Sequence, residues 1–167
     1  MKILGACNAH DSGAALISDG ELMAAANEER FVRKKLVQTF PVESIRYVLD
    51  IGGISPAEVD WVACGAWAGI DQSVTLPRLI EDSIFQSAHG EFAQAQALQR
   101  INVTARRDAD MRREFVDGIR ALGINENRIV FCDHHRSNAT MAFYPSPFEE
   151  AIILCAGGRG DFRSLSL

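Results

Sequence analysis

The chain has 167 residues, a formal net charge of −5 with an isoelectric point near 5.3, and 47% hydrophobic against 23% charged residues. That is enough chain to bury the core of one packed domain, and the acidic balance provides no global field for a phosphate backbone, so nucleic acid is not an expected partner. No apolar stretch reaches the about 18 residues of a membrane helix, and the N-terminus lacks a signal-peptide core, so the expected location is the cytoplasm with no membrane partner.

Residues 2–7, 14–18 and 21–27 read as three strands, the second and third joined at Asp19-Gly20 by a tight hairpin turn. Pro41 followed by Val42, Ile45, Val48, Leu49 and Gly52 describes one short amphipathic helix, and Ser55-Pro56-Ala57-Glu58 a turn into another helix start. Residues 61–65 read as a buried strand. From about residue 76 to residue 122 the chain is helical in character, an insertion with Met111, Phe115, Ile119 and Leu122 on one face and Gly123 as its cap. Residues 128–132 form the next strand, 137–143 a short helix, and 151–156 a further strand that runs into Gly157-Gly158-Arg159-Gly160. The order is β-β-β-α-β-α-β-α-β, and residues 163–167 fall where another strand turn is due, as if the chain stopped inside a sheet. Cys7, Cys64, Cys132 and Cys155 have no paired spacing, and buried thiols fit them better than a disulfide framework or a zinc cluster. Leu4-Gly5-Ala6-Cys7 matches a lipoprotein cleavage site only in isolation, because no apolar segment precedes it.

The first loop, Asn8 to Gly13, is small and polar, which lets its backbone approach an anion and lets His10 face a cleft. After the third strand comes Glu28-Glu29-Arg30-Phe31-Val32-Arg33-Lys34-Lys35. One end of the sheet therefore gathers an imidazole and a set of cations able to hold a phosphate or carbamoyl oxygen. The competing reading of such a run is a solvated charged face.

Together His10-Asp11-Ser12-Gly13-Ala14-Ala15-Leu16-Ile17, Asp19-Gly20 and Asn27-Glu28-Glu29-Arg30-Phe31 with Arg33-Lys34-Lys35 resemble the opening of the nodulation-type and antibiotic-tailoring O-carbamoyltransferases. Downstream, His134-His135, Ala139, Ala142 and Phe143 to Ala151 are similar to that family's His-His-x-x-His-Ala segment and the strand leading to its Asp-Gly-x-Gly-Glu loop. The resemblance spans nearly the whole chain except residues 69–125, where no motif stands out. It implies an α/β domain of the ribonuclease-H-like or actin-like superfamily, with residues 1–167 as the first half of that fold. It also implies a separate domain that makes carbamoyl-adenylate from carbamoyl phosphate and ATP, and transfer of the carbamoyl group to a hydroxyl of a small-molecule acceptor. On that pattern His10 and Lys35 are catalytic, Lys35 meeting the donor's phosphate; Arg33, Lys34, Gly158 and Gly160 bind the cofactor; and His134 ligates a divalent metal, iron or zinc.

The metal set is where this sequence departs from the pattern. A second imidazole four residues after the first shares its helical face, but that position is Asn138, and Gly157 stands where the carboxylate belongs. The expectation is a domain incomplete or inactive alone, which associates with a complementary C-terminal half or with a second copy. Two other readings remain: a non-catalytic partner-binding domain, supported by the two lost ligands, and a metal phosphoesterase, because Asp133-His134-His135 also resembles the signature of the DHH phosphoesterases. The latter requires an early loop with a second Asp, which is absent near His10-Asp11, and gives no role to Phe143 to Phe148.

Overall fold

The computed structural model describes residues 1–67, 82, 90–160 and 163–167. Three strands open it: β1 (Lys2–Cys7), β2 (Gly13–Ser18) and β3 (Glu21–Asn27), paired antiparallel in sequence order. The β2–β3 turn works because Asp19 and Gly20 both take positive φ, 51° and 91°. Helix α1 (Glu29–Val32) is a single turn, and α2 (Val42–Gly52) crosses back over β2 and β3. Gly53, at φ 63°, ends α2 in the left-handed conformation and donates its N–H to carbonyls of the last turn. A 3₁₀ turn (Pro56–Glu58) with a Ser55–Glu58 capping box then leads straight into β4 (Trp61–Cys64). The helix start expected there is only this turn, because Asp60 N–H is already paired with the Lys2 carbonyl at 2.9 Å and draws the chain into the sheet.

The long helix α3 (Gly90–Ala121) is followed by β5 (Ile129–Phe131) and α4 (His134–Phe143). Of the stretch expected to be helical over residues 76–122, residues 90–121 form α3; residues 76–81 and 83–89 lie outside the described residues. Strands β4 and β5 run parallel to β1, so the five-stranded sheet has the order β3-β2-β1-β4-β5. It is a mixed α/β fold whose sheet is flanked by helices.

One face carries the core. Alternation in β1, β2 and β4 puts Leu4, Ala6, Ala14, Leu16, Val62 and Cys64 on that face, where they meet Ile45 and Val48 of α2 and Phe115 and Ile119 of α3. Each fully buried Leu, Ile or Phe contributes about 1.5–3 kcal/mol relative to exposure. The opposite face bears Ile3, Gly5, Ala15, Ile17, Trp61 and Ala63, all half-buried or exposed.

Two expectations near the C-terminal end are corrected. Helix α4 begins three residues earlier than residue 137, because the Asp133 carboxylate accepts from Arg136 N–H at 2.9 Å and caps it. The strand expected over 151–156 instead spans β6 (Cys155–Gly160) and pairs antiparallel with β7 (Arg163–Ser166) in a separate two-stranded sheet. The apolar run 151–154 has no strand partner among the described residues, and Ile152 is 91% exposed there.

Candidate functional site

The C-terminal ends of β1, β3, β4 and β5 lie at one end of the sheet, with the start of β2. Four non-glycine residues with positive φ belong to the loops at this end: Asp11 (56°), Arg33 (55°), Leu36 (55°) and Trp67 (67°). Such conformations are costly for side chains like Leu and Trp and persist where surrounding contacts impose them. The Asn8 side chain, fully buried, ties this end together: its Nδ2 donates to the Met111 carbonyl of α3 at 2.7 Å and its Oδ1 accepts from Trp67 Nε1 at 3.4 Å.

His10 is 62% exposed, with Nδ1 at 2.7 Å from the Asp11 carboxylate. Ser12, the next residue but one, joins this loop to the cationic segment. Its N–H donates to the Val37 carbonyl at 3.0 Å and its carbonyl accepts from Glu28 N–H at 2.8 Å. Residues 29–36, which carry Arg30, Arg33, Lys34 and Lys35, are thus held at both ends against the His10 loop. Arg33 and Lys34 are exposed; Lys35 is exposed and pairs with the Glu29 carboxylate at 2.7 Å, which holds that carboxyl below its usual range, mainly through the hydrogen bond. Residues 30–35 are all exposed, as the solvated-face reading of the basic run has it, whereas Glu28 beside them is 3% exposed.

His134 stands on the other side of the same sheet end, at the first position of α4. With strands about 4.8 Å apart, β5 lies about 10–15 Å from the β1–β2 loop that carries His10. His134 Nδ1–H donates to the Gly65 carbonyl at 3.3 Å, which leaves Nε2 to accept from the Asn138 amide at 3.2 Å. His134, Asn138, Cys155 and Gly157 line one hollow of about 230 Å³. The two positions that depart from the resembled metal pattern thus converge on the one imidazole that keeps it.

The resembled metal set is incomplete here: a neutral amide at 138 and a glycine at 157 leave His134 as its one strong ligand, and among the described residues no group of three or more His, Cys, Asp or Glu side chains is placed to hold an ion. Gly157 and the adjoining Gly158 and Gly160 are backbone of β6. Asp133 caps α4 and His135, buried, reaches Ser166 Oγ at 2.7 Å, so the Asp-His-His triplet serves three different local roles.

Sequence reasoning also missed a thiol contact at this end. Cys7 is half-buried and Cys64 buried; the Cys64 thiol hydrogen-bonds to Cys7 and lowers it to about 7, helped by Ala9 N–H and opposed by burial. The same bond, with burial, pushes Cys64 well up. Cys132 and Cys155 are partly exposed, so of the four thiols expected to be buried only Cys64 is.

The structure is an α/β domain whose mixed sheet brings an imidazole loop and a cationic segment together at one end. The chain belongs to the carbamoyltransferase N-terminus family, whose model matches residues 2–167. It is 33% identical over 155 residues to nodulation protein NolNO of Sinorhizobium fredii, covering 93% of this chain and 20% of that protein. It is 35% identical over 162 residues to the uncharacterized protein sll1178 of Synechocystis, covering 95% of this chain and 25% of that one. With the uncharacterized protein MJ1051 of Methanocaldococcus jannaschii the identity is 26% over 159 residues, 95% and 22% of the two chains. The chain thus spans a quarter or less of the length of these relatives. It is a carbamoyltransferase-type N-terminal domain.

Proposed function

We propose that this domain takes part in moving a carbamoyl group from carbamoyl-adenylate, made from carbamoyl phosphate and ATP, to a hydroxyl of a small-molecule acceptor. The observation that carries the reading is the Ser12 junction, which sets His10 beside a segment of four cations at one sheet end. Cations and imidazole suit the phosphate and carbamoyl oxygens of such a donor. Lys35, paired with Glu29, is released to the anion when the donor competes for it, and Arg33 and Lys34 supply the remaining charge. The strand order β3-β2-β1-β4-β5, with only β2 antiparallel to the rest, supports the ribonuclease-H-like or actin-like reading of the fold. Titration calorimetry with carbamoyl phosphate tests it: binding that weakens at least about tenfold in Arg33→Ala/Lys34→Ala is expected, since each charge-assisted contact is worth about 1.5–3 kcal/mol. No binding by the wild-type chain, or equal binding by the variant, would sink the reading.

A second reading, a partner domain without catalysis of its own, is favoured by Asn138 and Gly157 around His134. The exposed apolar side chains Ile152, Leu154, Leu165 and Leu167 support cover by further polypeptide, either the length that the relatives carry or a second copy. A Cβ added at position 157 meets no atom within 4 Å, so a side chain can start there, and the double variant Asn138→His/Gly157→Asp restores the resembled ligand types. Plasma mass spectrometry should find no stoichiometric iron, zinc or manganese in the native chain and a gain in the variant. Metal in the native chain would restore the catalytic reading of this hollow.

A further inference from the structure

The Glu28 carboxylate is buried, and it is spent on an element distant from its own. Oε1 accepts from Glu43 N–H at 3.1 Å, and Oε2 accepts from Ser44 N–H at 2.8 Å and from Ser44 Oγ–H at 2.7 Å. These donors are the second and third amides of α2 and the Ser44 hydroxyl, in a helix whose own N-cap position is Pro41 and offers no side-chain acceptor. A carboxylate facing the N-terminus of an 11-residue helix is favoured by the helix dipole and by charge-assisted bonds. Meanwhile the Glu28 N–H holds Ser12, and the Glu28 carbonyl accepts from Phe31 and Val32 N–H at 3.0 and 3.1 Å, starting α1. One residue therefore fastens three pieces: α2, the His10 loop and the first turn of the cationic segment.

We propose that Glu28 is a positioning residue that holds the His10 loop and residues 29–36 as one preset anion-binding unit on α2. Ser12 is its backbone relay, gripping the far end of the segment at Val37. The relay uses the main chain alone: Ser12 Oγ is buried and has no hydrogen-bond partner among the described residues. The identity of the anion rests on the proposed function; the positioning does not.

Amide hydrogen exchange on the full chain tests the mechanical part. Glu28→Gln and Glu28→Ala should speed exchange at Ser12, Val32, Arg33 and Ser44 by about tenfold or more, the scale of one or more lost charge-assisted bonds. Leu4 and Leu16 should change by less than about twofold, as expected when opening is local. Ser12→Ala, which keeps both backbone bonds, should leave the pattern as in wild type. Should Glu28→Ala not fold, Ser44→Ala removes one donor and should give a smaller effect at the same four amides. Acceleration at Ser44 alone would make Glu28 a helix cap and nothing more, and uniform acceleration including Leu4 and Leu16 would make it a core residue; either overturns the proposal. In parallel, Glu28→Gln should weaken carbamoyl phosphate binding by about tenfold, the same scale of loss. Unchanged affinity in that variant also overturns the proposal, whereas a wild-type chain that shows the exchange pattern but binds no carbamoyl phosphate sinks the functional reading and leaves the positioning role standing.

Discussion

Cys7 is a side chain whose chemistry the fold changes, through its contact with Cys64. A thiol at about 7 is half thiolate at neutral pH, whereas one at its ordinary value of 9.0 is almost all protonated. Because the deprotonated form is the nucleophile, alkylation of Cys7 should rise with pH through about 7, ahead of Cys64, which resists throughout. Cys64→Ala removes the donor that stabilises the thiolate and should move the half-point upward; peptide mass spectrometry of iodoacetamide labelling against pH reads both, and an unmoved half-point would show that another group sets it. None of this was legible in the sequence, where Cys7 and Cys64 are simply two cysteines in apolar runs. The residues that did stand out, His10, Arg33, Lys34, Lys35 and His134, did so by type and motif. Glu28, Asn8 and Trp67 did not, because their roles are defined by partners 16, 103 and 59 positions away.

Among elements, α3 shows how a contact can outweigh propensity. Its C-terminal half is fastened to the 38–40 segment: Glu114 accepts Phe40 N–H at 2.9 Å, Arg107 donates to Gln38, and the Phe40 ring lies against the helix at Gly118. A Cβ at position 118 would fall 2.5 Å from that ring. Gly118→Ala would gain about 1 kcal/mol of helix propensity, yet overpacking typically costs about 1–3 kcal/mol. Chemical denaturation should therefore show a net loss of stability, and a more stable variant would mean that the ring moves aside freely. Element boundaries were readable where a local signal existed: Asp19-Gly20 for the hairpin, and Pro41 and Gly52 for α2, whose last residue is Gly52 and whose left-handed cap is Gly53. They failed at residues 151–156, where apolar content resembles a buried strand but pairing, which only the fold can supply, begins at Cys155.

At the scale of the molecule, the β6–β7 hairpin differs from the main sheet. Two-stranded hairpins are marginal alone, and this one leans on α4 through the His135 bonds to Ser166 and to Cys155 Sγ. Amides of Cys155 and Ala156 should exchange at least about 100-fold faster than those of Leu4 and Val62, as sub-global opening implies; equal protection would show that hairpin and sheet unfold together. The sheet itself joins two kinds of pairing. Strands β1, β2 and β3 are neighbours in the chain and α2 packs directly on β2 and β3, while β4 and β5 reach their places only after α2 and α3 have been threaded across. Short-range contacts form early and long loop closures late. On that ground the meander and α2 are expected to collapse first and the two parallel strands to dock later beside them. Substitutions at Leu16 should therefore slow folding, and those at Val62 should mainly speed unfolding.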